Sequence, residues 1–137
     1  MSAAEIVVVC ALELLGRSAS QFPRIEILET KPPTLSANAT AFADLDKRVI
    51  YLITSEPPFS IAMEAQSSPK ECRALDALRM VAGVIIHEEW HLQHGRDERG
   101  AYYAQLMALH LLGLGPGTSA YRSVKLAMGS VLRTGPR

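Results

Sequence analysis

Two histidines four residues apart are the feature that most constrains the fold of this chain. They belong to the pentad HEEWH at residues 87–91. On an α-helix this spacing is close to one turn, so His87 and His91 project from the same face and can bind one metal ion. The carboxylate of Glu88 stands beside that position. The pattern therefore predicts a helix through the pentad with a metal ion on one of its faces.

The third metal ligand must come from elsewhere in the chain, because a catalytic zinc ion usually has three protein ligands and a water molecule. In an uninterrupted helix, Glu98 would lie two turns beyond His91, roughly 10 Å away along the axis. Gly95 can instead end the helix in a left-handed conformation, and Asp97 can cap a new one. Glu98 would then open a second helix with its carboxylate near the metal. His94 and Asp97 are the alternative third ligands.

The pentad, together with the stretch ERGAY that begins at Glu98, resembles the active site of the zincin metallopeptidases. Among these it is similar to the gluzincins, and in particular to the minigluzincins and the small cytosolic zinc-peptidase domains. The resemblance covers about residues 40–112. It implies a zinc ion bound by His87, His91 and Glu98. Typical gluzincins place the ligand glutamate farther along the chain than the seven residues found here.

Further side chains acquire expected roles from this chemistry. Zinc lowers the pKa of its bound water toward neutrality, and Glu88 would accept the proton as the general base. Tyr102, one turn after Glu98, is the candidate donor to the oxyanion, although core packing is the simpler role for an aromatic residue. Gln105 lies one turn farther on and is a candidate hydrogen-bond partner of a ligand. Glu89 is expected to be a solvated charge.

The first half of the chain predicts a helix followed by a small sheet. A helix is expected over residues 2–16, and the next part alternates between extended segments and turn residues. Residues 57–67 read as an irregular connection after a double proline. The extended segments, of which the last two should form a hairpin, are expected at residues 24–29, 39–44 and 48–54.

The metal helix has the start signals of a strongly capped helix. Ser68 is the expected N-cap, Pro69 occupies the first helical position, and Glu71 completes a capping box. The helix should run from there through His91 and end near Gly95.

Two more helices are expected after the metal helix. Gly83, within the metal helix, permits close approach of a neighbouring element. Asp97 caps a helix that ends before the glycine-rich stretch 113–117, and Thr118 caps a final helix that reaches about Arg133. The fold class is therefore α+β, with one domain over residues 1–137, and the resemblance implies that this domain is compact and zincin-like.

Charge and hydropathy exclude several classes of partner. The chain has 14 Lys plus Arg and 14 Asp plus Glu, so it lacks the basic surface expected of a nucleic-acid binder or of an anchor to anionic membranes. No stretch reaches the length of roughly 18 apolar residues needed to span a membrane. We therefore expect no nucleic acid, no membrane and a cytoplasmic location.

Two cysteines, Cys10 and Cys72, are the full complement of thiols in the chain. They are too few for a multi-disulfide scaffold or a cysteine-rich structural zinc site. We expect both to be reduced and buried, with a single bridge as the alternative.

The resemblance implies a zinc-dependent metallopeptidase, a hydrolase whose partner is a peptide or protein substrate. An extended substrate would add along the sheet edge, and residues 48–54 are the expected edge strand. Two alternatives use the same residues differently. One is a regulatory or protein-binding module that zinc stabilises without catalysis, and the other is a metal-free helical interaction domain. The pattern predicts neither the specificity nor the oligomeric state.

Overall fold

A helix, a small sheet and then further helices follow one another along the chain, in the order that the sequence predicts except for one additional short helix after the sheet. A computed structural model describes residues 1–66 and 72–134. The described residues form a mixture of helices and strands, which confirms the α+β class. A 3-10 turn, Ala19–Gln21, follows the first helix. The other elements are α1 (Ala3–Leu14), β1 (Arg24–Leu28), β2 (Ala41–Asp44), β3 (Val49–Ile53), α2 (Phe59–Ala65), α3 (Asp76–His94), α4 (Glu98–Leu111) and α5 (Ser119–Thr134).

Helix α1 forms despite a run of β-branched residues. Capping at its N-terminus and burial of one of its faces both stabilise it. The Ser2 hydroxyl accepts a hydrogen bond from the Glu5 backbone amide at 3.1 Å, and the Ser2 amide donates to the Glu5 carboxylate at 3.0 Å. The helix buries Val7 and Cys10 in the main hydrophobic cluster. Tertiary packing therefore outweighs the low helix propensity of valine and isoleucine.

The sheet has the strand order β1-β3-β2, so β3 is central. Strand β3 pairs antiparallel with β2, which confirms the hairpin, and parallel with β1. The expectation that residues 48–54 form the edge is therefore wrong. The physical reason lies in the composition of β3: Ile50, Leu52 and Ile53 are buried, as is typical of a strand with neighbours on both sides. The edge strands of the described sheet are β1 and β2.

The connection after the double proline is more regular than the sequence indicates. Helix α2 occupies Phe59–Ala65, within the stretch expected to be irregular. Phe59 and Ala62 are buried on one face of this short helix. Their spacing of three residues is helical, but seven residues are too few for a clear period in the sequence.

Helix α3 begins later than predicted. Its first residue is Asp76, and the segment from Cys72 to Leu75 is not helical. The predicted capping box at Ser68, Pro69 and Glu71 lies outside the described residues. The end of the helix agrees with the prediction, since Gly95 is its C-cap.

The two cysteines form a disulfide, so the expectation of two reduced thiols is wrong. Cys10 of α1 and Cys72 lie 5.2 Å apart between their Cα atoms. The bridge joins α1 to the segment that leads into α3. Sequence spacing gave no indication of it, because the cysteines are 62 residues apart and only folding brings them together.

Helix α3 lies between two hydrophobic clusters. One cluster includes α1, the sheet and one side of α3, and the other is formed mainly by α4 and α5. Gly83 is the point of close approach to α4: a Cβ atom there would lie 3.1 Å from Cδ2 of Leu109. The predicted role of Gly83 is therefore confirmed. This close packing places the first turns of α4 directly against the pentad.

Within residues 1–66 and 72–134, no helix combines the length and the apolar character needed to cross a membrane.

Candidate metal centre

Both histidines of the pentad lie on the inner face of α3. The exposed fraction of His87 is 4% and that of His91 is 7%, and the centroids of their rings are 5.1 Å apart. This is the arrangement that the spacing of four residues predicts on a helix.

The turn after α3 returns the chain to these histidines, as predicted. The Gly95 amide donates to the carbonyl of His91 at 2.8 Å, and Gly95 has a φ of 82°, which favours glycine. Asp97 then caps α4, since its carboxylate accepts from the Gly100 amide at 3.1 Å. Glu98 is the first residue of α4 and is buried.

Glu98 meets both histidines through one carboxylate oxygen. Its Oε1 lies 3.1 Å from Nε2 of His87 and is in direct contact with Nε2 of His91. Among the described residues, these three side chains form a group whose ligand atoms lie within 4.8 Å of one another. The group could hold a metal ion.

The far nitrogen of each histidine ring has an oxygen acceptor. His87 Nδ1 lies 2.8 Å from Oε1 of Gln105, and His91 Nδ1 lies 2.8 Å from the backbone carbonyl of Gly95. A carbonyl oxygen can only accept, so Nδ1 is the nitrogen that donates there, and Nε2 of each ring would offer its lone pair to a bound metal ion. Metal-binding histidines usually donate their second nitrogen to such an acceptor.

One of the two histidine–glutamate distances is close to that of two ligands on one metal ion, whereas the other, 2.5 Å between His91 Nε2 and Glu98 Oε1, is shorter. Two ligands about 2.1 Å from a tetrahedral zinc ion lie about 3.4 Å from each other. The distance of 3.1 Å between His87 Nε2 and Glu98 Oε1 is close to that value. Two imidazoles and one carboxylate are a donor set that suits zinc and also accepts other divalent transition metals.

Without a metal, the acidic surroundings favour the protonated form of His91. Burial opposes the positive charge, but hydrogen bonds to Glu98 and to the Gly95 carbonyl, together with the negative charges of Glu88 and Glu98, outweigh it. The pKa of His91 is therefore raised. A metal ion would replace that proton.

The two alternative ligands have other partners. His94 packs against Trp90, with ring centroids 3.9 Å apart, and Asp97 is the cap of α4. Neither belongs to the group of converging ligand atoms. Gly100 lies so close to Trp90 that a Cβ atom there would be 2.5 Å from the indole, which holds the start of α4 against α3.

Comparisons of the chain with protein-family models, with curated proteins and with solved structures give no match.

A cavity of about 210 Å³ lies on one side of the ligand group, and we call it the Glu88 cavity. His87, Glu88, Tyr102 and Gln105 are all among its lining residues. Glu88 is only 1% exposed, and the Tyr102 ring packs edge-on against His87 with centroids 4.5 Å apart. The structure therefore brings both predicted catalytic residues to a cavity beside the ligand group.

A second cavity, of about 610 Å³, also adjoins the ligand group, and we call it the Arg96 cavity. His91 and Glu98 form part of its wall beside Arg96. Strand β2 forms another part through Phe42 and Asp44. The edge strand nearest to the ligand group is therefore β2, the hairpin partner of the strand that the sequence favoured.

Two supports of α3 were not found from the sequence. Glu89 is buried and pairs with Arg17 at 2.7 Å, so the expectation that it is a solvated charge is wrong. Arg48 donates from Nη1 to the carbonyl of Leu92 at 3.0 Å, near the end of α3. These partners lie 72 and 44 residues away in the chain, and no local pattern indicates them.

Proposed function

We propose that this protein is a zinc-dependent metallopeptidase. The observation that carries the proposal is the common orientation of the two histidines. Each Nδ1 lies 2.8 Å from a carbonyl oxygen, and each Nε2 faces the same Glu98 oxygen. A three-ligand group of this composition leaves a fourth position for water, as catalytic sites do.

His87, His91 and Glu98 would hold the zinc ion. When bound, zinc polarises a carbonyl group and lowers the pKa of a bound water toward neutrality. A purely structural zinc site normally has four protein ligands, and the described residues bring only three together here. The donor set therefore favours catalysis over a structural role.

Glu88 is the proposed general base and acid. Its carboxylate follows the first ligand directly in the chain and is buried in the wall of the Glu88 cavity. There it would accept a proton from the attacking water and deliver it to the nitrogen of the leaving amine. Glu89 cannot share this role, because its carboxylate is paired with Arg17.

Tyr102 is the proposed donor to the oxyanion of the tetrahedral intermediate. The packing of its ring against His87 holds it next to the ligand group, and it lines the same cavity as Glu88. A phenol hydroxyl that donates to developing negative charge lowers the barrier most where water is largely excluded.

The proposed substrate is an extended peptide that adds to the outer edge of β2. This strand pairs with β3 on one side, and within the described sheet its other side has no strand neighbour. Residues of β2 line the Arg96 cavity beside His91 and Glu98. Backbone hydrogen bonds to this edge would bring a peptide carbonyl toward the ligand group without demanding particular side chains.

The cytosolic location expected from the sequence stays a prediction. The disulfide between Cys10 and Cys72 is the observation against it, because disulfides persist mainly in oxidising compartments.

A digest of a peptide library tests the proposed activity. We expect the zinc-loaded protein to cleave peptides, the Glu88→Gln variant to retain zinc and lose cleavage, and the neighbouring Glu89→Gln variant to retain both. Loss of proton transfer typically lowers the rate by a factor of about 10² to 10⁴. Zinc binding without cleavage by the unaltered protein would instead support the zinc-stabilised binding module.

The ligand assignment has its own test by elemental analysis. Glu98→Ala should lose bound zinc, whereas His94→Ala and Asp97→Ala should keep it at one equivalent. Asp97→Ala should also lower the free energy of unfolding by about 1 kcal/mol through loss of the helix cap. Full zinc content in Glu98→Ala would refute the assignment.

A further inference from the structure

The net charge of zero, on which the expectation of no membrane rests, conceals an uneven distribution of charge along the chain. All 14 acidic residues lie within positions 5–98. Residues 99–137 contain no Asp or Glu, but they contain five Lys or Arg. Helix α4 after its first residue, and the whole of α5, therefore carry basic side chains and no acidic ones.

The basic side chains of these two helices are exposed. Arg99 lies on α4, and Arg122, Lys125 and Arg133 lie on α5. Within residues 1–66 and 72–134, none of the four forms an ion pair with a carboxylate. Four positive charges can therefore interact with an anionic partner without first giving up an acidic one.

Large apolar side chains are exposed on the same two helices. Among the described residues, five of the nine exposed large apolar side chains lie here: Tyr103, Met107 and Leu111 on α4, and Leu126 and Leu132 on α5. The three on α4 are spaced by four residues, so they form a stripe along one face of the helix. Exposed apolar side chains that gather in one place commonly mark a surface that binds something.

The basic and apolar side chains share the outer side of one helix pair. Helices α4 and α5 pack together through buried residues that include Leu109 and Val124. The exposed residues therefore lie on the outside of the pair, where cations and apolar side chains are interspersed, as Lys125 and Leu126 show on α5. We call the exposed side chains of α4 and α5 the C-terminal surface.

We propose that the C-terminal surface binds the surface of an anionic lipid bilayer. Cations such as Arg99 and Lys125 would pair with the negative headgroups. Apolar side chains such as Met107, Leu111 and Leu126 would enter the boundary between the headgroups and the acyl chains, with the helices lying in the plane of the membrane. The proposal does not depend on the peptidase function, because none of these residues belongs to the ligand group.

The composition and shape of the surface favour lipid over other anionic partners. Nucleic acids bind through their phosphates, and single strands also stack on aromatic rings, but Tyr103 is the one aromatic residue among the five exposed apolar ones. An acidic amphipathic helix would need an apolar groove, and neither the Glu88 cavity nor the Arg96 cavity is lined by these residues. A bilayer needs no groove, because lipids rearrange around each side chain that enters.

Co-sedimentation with vesicles tests the proposal on the unaltered protein. One set of vesicles is phosphatidylcholine alone, and the other is phosphatidylcholine mixed with an equal amount of phosphatidylserine. We expect binding to the mixed vesicles and little binding to phosphatidylcholine. Added salt should weaken it, because each Lys or Arg near an anionic surface raises the partition coefficient roughly fivefold and salt screens this attraction.

Two double variants test whether the position of the charges matters. Lys125→Gln combined with Arg133→Gln should lower the partition coefficient by a factor of about 10 or more. Arg24→Gln combined with Lys47→Gln is the matched control, since it removes two exposed cations that lie outside the C-terminal surface. This control has the same net charge as the first double variant and should bind as the unaltered protein does.

A single substitution tests the apolar contribution. Met107→Gln should lower the partition coefficient by a factor of about three or more, as partial burial of that side chain in lipid predicts. Ile61→Gln is the control, because Ile61 is also helical and more than half exposed but lies on α2. Circular dichroism checks that each variant keeps its helices.

Several outcomes would overturn the proposal. Failure to bind the mixed vesicles, or equal binding to both kinds, would exclude an anionic bilayer. Equal losses in the two double variants would show that net charge acts without regard to position. Unchanged binding of Met107→Gln would exclude insertion of the apolar stripe. Preference for duplex DNA over mixed vesicles in competition would assign the surface to nucleic acid. A dimer of the lipid-free protein that Met107→Gln dissociates would assign it to a second copy of the chain.

Discussion

The side-chain oxygen of Gln105 lies 2.8 Å from Nδ1 of His87, and this hydrogen bond ties α4 to the first histidine of α3. Gly83 lies beside this contact and favours the close packing of α4, because a Cβ atom there would lie only 3.1 Å from Cδ2 of Leu109. The same helix that delivers Glu98 therefore also orients the ring that Glu98 meets. The packing of α4 against α3 therefore positions both the ligand Glu98 and the supporting Gln105.

Replacing Gln105 with leucine should weaken zinc binding without removing a ligand. The His87 ring would lose the acceptor that fixes its tautomer, and loss of such a partner typically costs a factor of about 10 to 100 in metal affinity. Competition with a chromophoric chelator measures the change. Gln93→Leu is the control, since Gln93 is exposed on α3. Equal affinities in the two variants would contradict the orienting role.

Replacing Arg17 with methionine should destabilise the fold. Glu89 is 7% exposed and would keep a buried charge without its partner. We expect a loss of about 1–3 kcal/mol in the free energy of unfolding, less than for a fully buried pair because the Arg17 side chain is 38% exposed. Urea denaturation measures it. Arg24→Met breaks an ion pair with Glu26 that is exposed on both sides, and should change stability by less than about 0.5 kcal/mol.

Reduction of the Cys10–Cys72 bridge should lower thermal stability. The bridge closes a loop with a sequence separation of 62, for which chain entropy predicts about 4 kcal/mol. A phosphine reductant is suitable because it does not remove zinc as a dithiol does. The melting temperature of the unaltered protein should fall with reductant, and that of Cys72→Ser should not respond. Alkylation of both thiols in folded, air-oxidised protein would show that the bridge does not form.

The metal-free protein should lose stability as the pH rises through the raised pKa of His91. The pKa of His91 in the folded protein is above its unfolded value of about 6.5. Protonated His91 therefore makes its full contribution to the free energy of unfolding below about pH 6.5, and this contribution is lost as the pH rises above the folded pKa. Denaturation of chelator-treated protein across this range measures it, with His91→Gln as the control that lacks this dependence. In the zinc-loaded protein, stability should instead rise with pH, because protons compete with the metal ion for Nε2 of His91. A metal-free protein whose stability rises over this range, with no difference from His91→Gln, would contradict the shift.

Much of the local structure was predictable because its causes lie within a few residues. Asp97 caps α4 and Thr118 caps α5, as expected, since the Tyr121 amide donates to the Thr118 hydroxyl at 3.2 Å. Gly95 ends α3 with a positive φ. Each of these features depends on a hydrogen bond or a backbone preference that spans at most one turn.

The sheet shows where local patterns stop being sufficient. Periodicity identified the strands and the hairpin, but it could not tell which member of the hairpin is central. That depends on β1, which arrives in parallel from earlier in the chain and pairs with β3. The edge proposed for an extended substrate is therefore that of β2, and not that of β3 as the sequence predicted.

The sequence by itself determined the residues that can bind a metal and the turn that brings Glu98 back to them, because helix period and capping are local. Tertiary structure alone decided the rest: the pairing of Cys10 with Cys72, the burial of Glu89 against Arg17, and the two cavities beside the ligand group. These features join segments tens of residues apart. Their positions depend on how whole helices and strands pack, which no short stretch of sequence specifies.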